Sequence, residues 1–250
     1  MRGVKGSDDI ARFGLCSDCV EARERQDRER EQAERRRRID AEADQRRARI
    51  EELLVECGLD RDADHLRATM QNFQPRPDRE ALQEARNFVA RFRSGERPNL
   101  FLFSRRPRER IAPGSGKTHL AAAVLRELLL SGDVTPQSAA FVRETRMTIT
   151  LRRMIGGGGR PEDYLDGLIR KDLLIIDDVG KAKTDTAWLQ ELMFELIAGR
   201  EPRATIITSN FDPEQLERRD DYYIALNSRL IGKGPVLCLS GPDRRLLRAS

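Results

Sequence analysis

Lys117 and Thr118 close the run Pro113, Gly114, Ser115, Gly116, and Asp177 and Asp178 close an apolar stretch further along the chain. Residues of these types, so grouped, suit the chemistry of a nucleoside triphosphate. Glycines let backbone N–H groups turn inward around phosphate oxygens, and a helix opening at His119 adds a positive dipole end. Lys117 would bridge the β- and γ-phosphates, and the Thr118 hydroxyl would ligate Mg²⁺. Asp177 can hold the hydration shell of that ion, as a Walker-B acid does, and Asp178 can polarise a water for attack on the γ-phosphate.

Such chemistry needs a strand, a turn and a helix upstream, and a second buried strand to carry the acids. Leu100, Phe101, Leu102 and Phe103 give the first strand, and residues 119–125 combine good helix formers with apolar positions at helical spacing. The full P-loop pattern would place a glycine at 111, where the chain has Ile111. Setting aside residues 105–111 (RRPRERI), Ser104 takes the first glycine's place, so this stretch reads as an insertion between strand and loop. Alone, the loop could be a chance Gly-x-Gly-Lys-Thr in a surface turn. Residues 172–178 supply the partner: a continuous apolar run of the kind found in a parallel sheet covered on both faces, ending in two carboxylates.

The 250 residues, 38% hydrophobic and 35% charged, suit one α/β domain with an appendage. No apolar run is long enough to span a bilayer, and the N-terminus lacks a signal-peptide core. Four cysteines without framework spacing point to a reducing, cytoplasmic setting. The net charge of +4 mildly favours an anionic partner.

Along the chain, Cys16 and Cys19 form a C-x-x-C. Zinc needs four ligands, and Cys57 and His65, the nearest further candidates, stand at no recognised spacing, so unligated thiols are expected. Residues 20–57 are almost wholly Glu, Arg, Asp, Gln and Ala, with opposite charges at helical spacing such as Glu24 with Arg28 and Glu31 with Arg35. They predict a long, exposed, charged helix, either a solvated rod or an arm for a partner. The domain boundary falls there: residues 1–57 an arm, 58–250 the nucleotide-binding domain. A short helical connector over 59–73 and a helix over 78–92, capped by Asp78, lead to the first strand. Further strands are predicted over 139–142, 205–210 and 235–239, with helices over 162–169 and 188–197. Arg143, Arg146, Arg152 and Arg153 are interleaved with apolar residues, and could form a solvated face or track a nucleic-acid backbone. Asn210 should emerge on the same sheet edge as Asp177, and Arg229 lies on a later helix with Leu226, Leu230 and Ile231.

The ordered set of motifs, from Pro113 to His119, LLIIDDVG over 173–180, TIITSN over 205–210 and Asn227-Ser-Arg-Leu230, with Met70-Gln-Asn-Phe73 upstream, resembles the AAA+ ATPases of the DnaC/IstB-like family. The resemblance covers roughly residues 58–245. It implies a three-layer sandwich around a five-stranded parallel sheet, with ATP and Mg²⁺ at the strands' C-terminal ends. It also implies that Asn210 is sensor 1, Arg229 an arginine finger inserted into a neighbouring subunit's site, and Arg245 the sensor-2 arginine, with Arg244 the other possibility. By position, the four arginines of 143–153 would contact single-stranded DNA. The implied partners are a ring-shaped replicative helicase, docked through the 20–57 helix, single-stranded DNA and further copies of the chain. The reading that follows is an ATP-dependent helicase loader with hydrolysis as a release switch. Two others stand beside it: a transposition helper that coats duplex DNA and recruits a transposase, and an adaptor whose altered loop no longer closes on phosphate.

Overall fold

The computed structural model describes residues 17–61, 64–73, 79–104, 115–182 and 186–239. The chain divides after Arg49 into two compact units. The first contributes most of helix α1 (Ser17–Glu56), exposed throughout from Glu24 to Arg49. The expected Glu24–Arg28 pair forms at 3.5 Å, and Arg38–Glu42 at 3.6 Å repeats the spacing. Exposed pairs of this kind contribute only a few tenths of a kcal/mol each, about 0.3–0.5. The last turns of α1 belong to the second unit, where Ile50, Leu54 and Cys57 are buried in a hydrophobic core.

That unit is built on five parallel strands: β1 (Asn99–Phe103), β2 (Ala139–Arg143), β3 (Leu173–Val179), β4 (Ala204–Ser209) and β5 (Val236–Cys238). Their order across the sheet is β2-β3-β4-β1-β5, and every pairing is parallel, so the expected five-stranded parallel sheet is present. Successive side chains of a strand face opposite ways, and this sorts β1 between two cores. Leu100 and Leu102 join the one that holds α2 (Arg79–Arg93) and α3 (Lys117–Ser131). Phe101 and Phe103 join the one formed with α4 (Glu144–Gly156), α5 (Pro161–Ile169), α6 (Ala187–Arg200) and α8 (Asp221–Arg229). Three layers result, and both faces of β1, β3 and β4 are covered. A short helix, α7 (Pro213–Glu217), opens with a capping box in which Asp212 and Gln215 exchange hydrogen bonds. Its five residues are too few for a periodic pattern to reveal.

Two elements differ from expectation. Of the connector predicted over 59–73, only Asp64–Arg67 is helical among the described residues, as a 3-10 turn. Its neighbour 69–72 is instead braced by its own side chains: Asn72 Oδ1 accepts from Thr69 N at 2.8 Å, and Asn72 Nδ2 donates to Arg67 O at 2.8 Å. Asn and Thr in a short segment compete with helical hydrogen bonding in this way. The helix carrying Arg229 ends at that residue rather than running through Leu230 and Ile231, which turn into a 3-10 segment (Ile231–Lys233). The expectations for Cys16, the Asp78 cap, the 105–111 insertion, Pro113, Gly114, Arg244 and Arg245 fall outside the described residues, as does the side chain of Cys19. No helix among the described residues is long and apolar enough to cross a membrane.

Candidate functional site

β1, β3 and β4 end on one edge of the sheet, and α3 starts above it. Gly116 caps α3 with φ of 99°, in the left-handed region where a Cβ is costly, so glycine suits this turn. The helix then opens with Lys117, whose buried Nζ donates to Ser104 Oγ at 2.8 Å, Asn210 Oδ1 at 3.0 Å and Ser115 Oγ at 3.2 Å. Three elements converge on this ammonium: Ser104 follows β1, Asn210 follows β4, and Ser115 belongs to the turn. Burial pushes Lys117 down to about 8, against the opposing pull of Asp178 and Asp177.

The next residue, Thr118, donates its hydroxyl to Asp177 Oδ1 at 2.8 Å, and Thr208 Oγ1 donates to the same oxygen at 2.6 Å. Asp177 is 2% exposed, and burial raises its carboxyl above the usual range despite those two hydroxyls. Its other oxygen lies 3.8 Å from Arg143 Nε, and Arg143 also pairs with Asp60 at 3.0 Å. Asp178 takes a φ of 63°, the one positive value at a non-glycine among the described residues. An irregularity in the β3–β4 register between Ile176 and Val179 accompanies it. Asp tolerates this conformation better than most residues, and a hydrogen bond from Asp178 N to Thr208 Oγ1 at 3.0 Å holds it. The turn swings the Asp178 carboxylate out to Asn210 Nδ2, 2.8 Å away, and to Lys181 Nζ, 2.6 Å away. The Asn210 amide therefore links Lys117 to Asp178. Its partners fix its orientation, since an ammonium can only donate and a carboxylate here only accepts.

Lys117, Thr118, Asp177, Asp178 and Asn210, singled out along the sequence, are thus brought together, with Ser104 and Ser115. His119 faces elsewhere: its Nε2 is 3.0 Å from Thr69 O, and its ring lies 5.6 Å from that of Phe73. Arg229 is exposed at the end of α8. The four arginines of 143–153 separate. Arg143 turns to the two carboxylates, while Arg146, Arg152 and Arg153 are exposed along α4 with Ile149 and Ile155. A cavity of about 390 Å³ opens beside Thr118, lined by Gly58, Asp60, Arg143, Arg146 and Tyr164 among others.

Sequence reasoning missed four contributors. Thr208 lies inside TIITSN and could have been found from strand alternation, which puts it two residues before Asn210. Lys181, Asp60 and Glu144 carried no signal, because their partners are distant in sequence or belong to irregular backbone.

The donor set suits a hard cation and a polyphosphate. Thr118 and Asp177 offer adjacent oxygens, and Mg²⁺ typically takes one or two protein oxygens and completes its shell with water and phosphate. Among the described residues, no group of three or more His, Cys, Asp and Glu is placed to hold a metal. Cys57 is buried, with its thiol raised to about 11 by burial.

The chain is similar to several known proteins. The family model described as IstB-like ATP binding protein matches residues 111–237. The replicative helicase loader DnaC of Escherichia coli (strain K12) is 29% identical over 136 residues, 53% of this chain and 51% of that protein. The chain spans about half the length of the curated relatives it matches. Among solved structures, the crystal structure of the DnaC helicase loader superposes with a TM-score of 0.59 at 22% identity, covering 71% of this chain and 100% of that one. DnaA of Aquifex aeolicus, bound to AMPPCP, gives 0.56 at 20% identity, covering 71% and 52%. The likeness is one of fold: this chain shares the architecture of those two proteins around its five-stranded parallel sheet.

Proposed function

The chain belongs to the family of IstB-like ATP binding proteins, and from that premise we propose that it is an ATPase that loads a ring-shaped replicative helicase onto single-stranded DNA. The observation that carries this reading is the Lys117–Asn210–Asp178 chain beside the Thr118–Asp177 pair. It joins a phosphate-binding cation to a water-polarising acid through a single amide.

In this reading Lys117 exchanges its three neutral oxygen partners for β- and γ-phosphate oxygens, a gain because the ammonium is buried and its present acceptors carry no full charge. Thr118 and Asp177 hold Mg²⁺, which when bound neutralises charge developing on the phosphate oxygens. Asp178, already turned away from the strand, accepts a hydrogen bond from the attacking water and takes up its proton. Asn210 keeps Asp178 and Lys117 in register, so that water and phosphate are presented together. Arg229, exposed at a helix end, reaches the site of a neighbouring copy. The 1–57 arm docks the helicase, and the exposed arginines of α4 hold the DNA backbone, a phosphate-driven and salt-sensitive contact. Hydrolysis then acts as the release switch. The relative named a replicative helicase loader supports the choice of partner.

Co-purification of the full chain with a replicative helicase tests the assignment. A complex formed with ATP and lost on deleting residues 1–57 is expected. No complex with or without ATP contradicts loading, and capture of a transposase instead would assign the chain to transposition.

A further inference from the structure

Glu144 is a carboxylate 1% exposed, and among the described residues its oxygens take hydrogen bonds from backbone N–H groups and phenols rather than from a lysine, arginine or histidine side chain. Oε2 accepts three successive backbone N–H groups, from Gly180 at 2.9 Å, Lys181 at 3.1 Å and Ala182 at 3.0 Å. Oε1 accepts the hydroxyls of Tyr222 and of Tyr223, the latter at 2.9 Å. A buried charge is tolerated only when its lone pairs are fully engaged, and this set of five donors does so. Burial first, and Glu144 next, hold both phenols well above their usual range, so they remain donors.

The two sets of donors come from different places. Gly180–Ala182 is the turn that begins two residues after Asp178, and its Lys181 side chain grips the Asp178 carboxylate. Tyr222 and Tyr223 lie in the first turn of α8, whose last residue is Arg229. That helix is rigid over roughly 10 Å between them, at 1.5 Å per residue. Glu144 itself follows Arg143, which faces Asp177. One side chain therefore joins the turn behind the water-polarising acid to the helix bearing the arginine offered to a neighbour.

We propose that Glu144 is a positioning residue that fixes the Asp178 turn and helix α8 against one buried carboxylate, so that this copy's own site and the arginine it lends to the next copy move together. The proposal rests on the ATPase reading above. Its consequence is regulatory: engagement of Arg229 by a neighbour would be felt at Asp178 through Tyr222, Tyr223 and Glu144, without passing through the nucleotide.

The test uses the full chain, with Glu144→Gln and the double variant Tyr222→Phe/Tyr223→Phe. Gln keeps the shape but turns an N–H₂ toward donors, whereas the double variant keeps the carboxylate and its three backbone contacts. Four quantities are measured: melting temperature, Mg²⁺-ATP affinity, kcat with KM, and hydrogen exchange at the amides of 180–182. Both variants are expected to bind ATP within about threefold of wild type while kcat falls about 10- to 100-fold. Exchange at 180–182 should rise in both, with the strand amides still protected. In the double variant that rise is the decisive result, since no residue of the 180–182 turn has been altered. Unchanged exchange there, or kcat and affinity falling in parallel with melting temperature, overturns the proposal. Wild type that binds no ATP would contradict the function proposed above instead, and the exchange arm would still decide whether turn and helix are joined.

Discussion

The Thr118 hydroxyl lies 2.8 Å from Asp177 Oδ1, joining the first turn of α3 to the end of β3 across 59 residues of sequence. Neither residue has a structural need for the other. Asp177 is buried, its carboxyl is raised by that burial, and a second hydroxyl from Thr208 already serves the same oxygen. A buried acid kept at such a cost is what the proposed Mg²⁺ site requires. Replacing it separates stability from binding. With its folded pKa above the unfolded value, Asp177 costs stability as pH rises through that raised pKa. Asp177→Asn should therefore melt higher than wild type at pH 7 while needing more Mg²⁺ to bind ATP. A lower melting temperature, read by calorimetry, would refute this.

Lys117 sets the opposite pH limit. Its free-state pKa of about 8 means the ammonium is lost as pH rises past that point, whereas a bound triphosphate would pull it back up. Nucleotide binding above pH 8 should therefore take up a proton, and affinity should fall about 30-fold between pH 7 and pH 9.5. Titration calorimetry in buffers of different ionisation enthalpy measures the uptake directly. Affinity flat across that range would place the ammonium elsewhere.

Asp178→Asn tests the division of labour between the paired acids. Asn accepts positive φ as readily as Asp, so the turn at φ 63° and the fold should survive. ATP binding should remain while hydrolysis falls by about 10²-fold or more. Single-turnover hydrolysis checks this, and full activity would move the role of base to another group.

A side chain at Gly180 would be strained and would displace its neighbours. Its φ is 97°, and a Cβ there would lie 2.5 Å from Phe211 Cδ2 and 2.7 Å from Leu216 Cδ2. Gly180→Ala should cost about 1–3 kcal/mol in urea unfolding and slow hydrolysis, because the same turn anchors Lys181 beside Asp178.

How much of this was legible beforehand follows from where each signal resides. Strands β1, β3 and β4 could be read because each is buried on both faces and so is continuously apolar or β-branched, as in residues 173–176 and 204–207. Lys117, Asp177 and Asn210 could be read because strand ends and a glycine turn fix their positions along one edge. The links that lock them together could not. Ser104 with Lys117, Arg143 with Asp60, and Glu144 with Tyr222 and Tyr223 are contacts between segments whose approach depends on packing and leaves no periodic trace. Arg143 shows the difference most clearly. Its place in an arginine-rich stretch suggested a solvated face or a nucleic-acid contact and gave no sign of Asp177, opposite which the β2–β3 register sets it.

Arg229 can be tested without a structure of the assembly. Arg229→Ala alone should lose about 10³-fold in rate, and Lys117→Ala alone should lose nucleotide. Mixed, a Lys117→Ala copy can still lend Arg229 to a neighbour whose own ATP site is intact. Recovery of ATPase activity on mixing is the expected result, and none at any ratio would mean that the arginine does not act between copies.

The most direct measurement is the heat of Mg²⁺-ATP binding to the full chain, compared with Lys117→Ala. The account predicts saturable binding to the wild type that needs Mg²⁺ and disappears in the variant, with the variant melting no lower. Absence of binding to the wild type, or equal binding by both proteins, would contradict it.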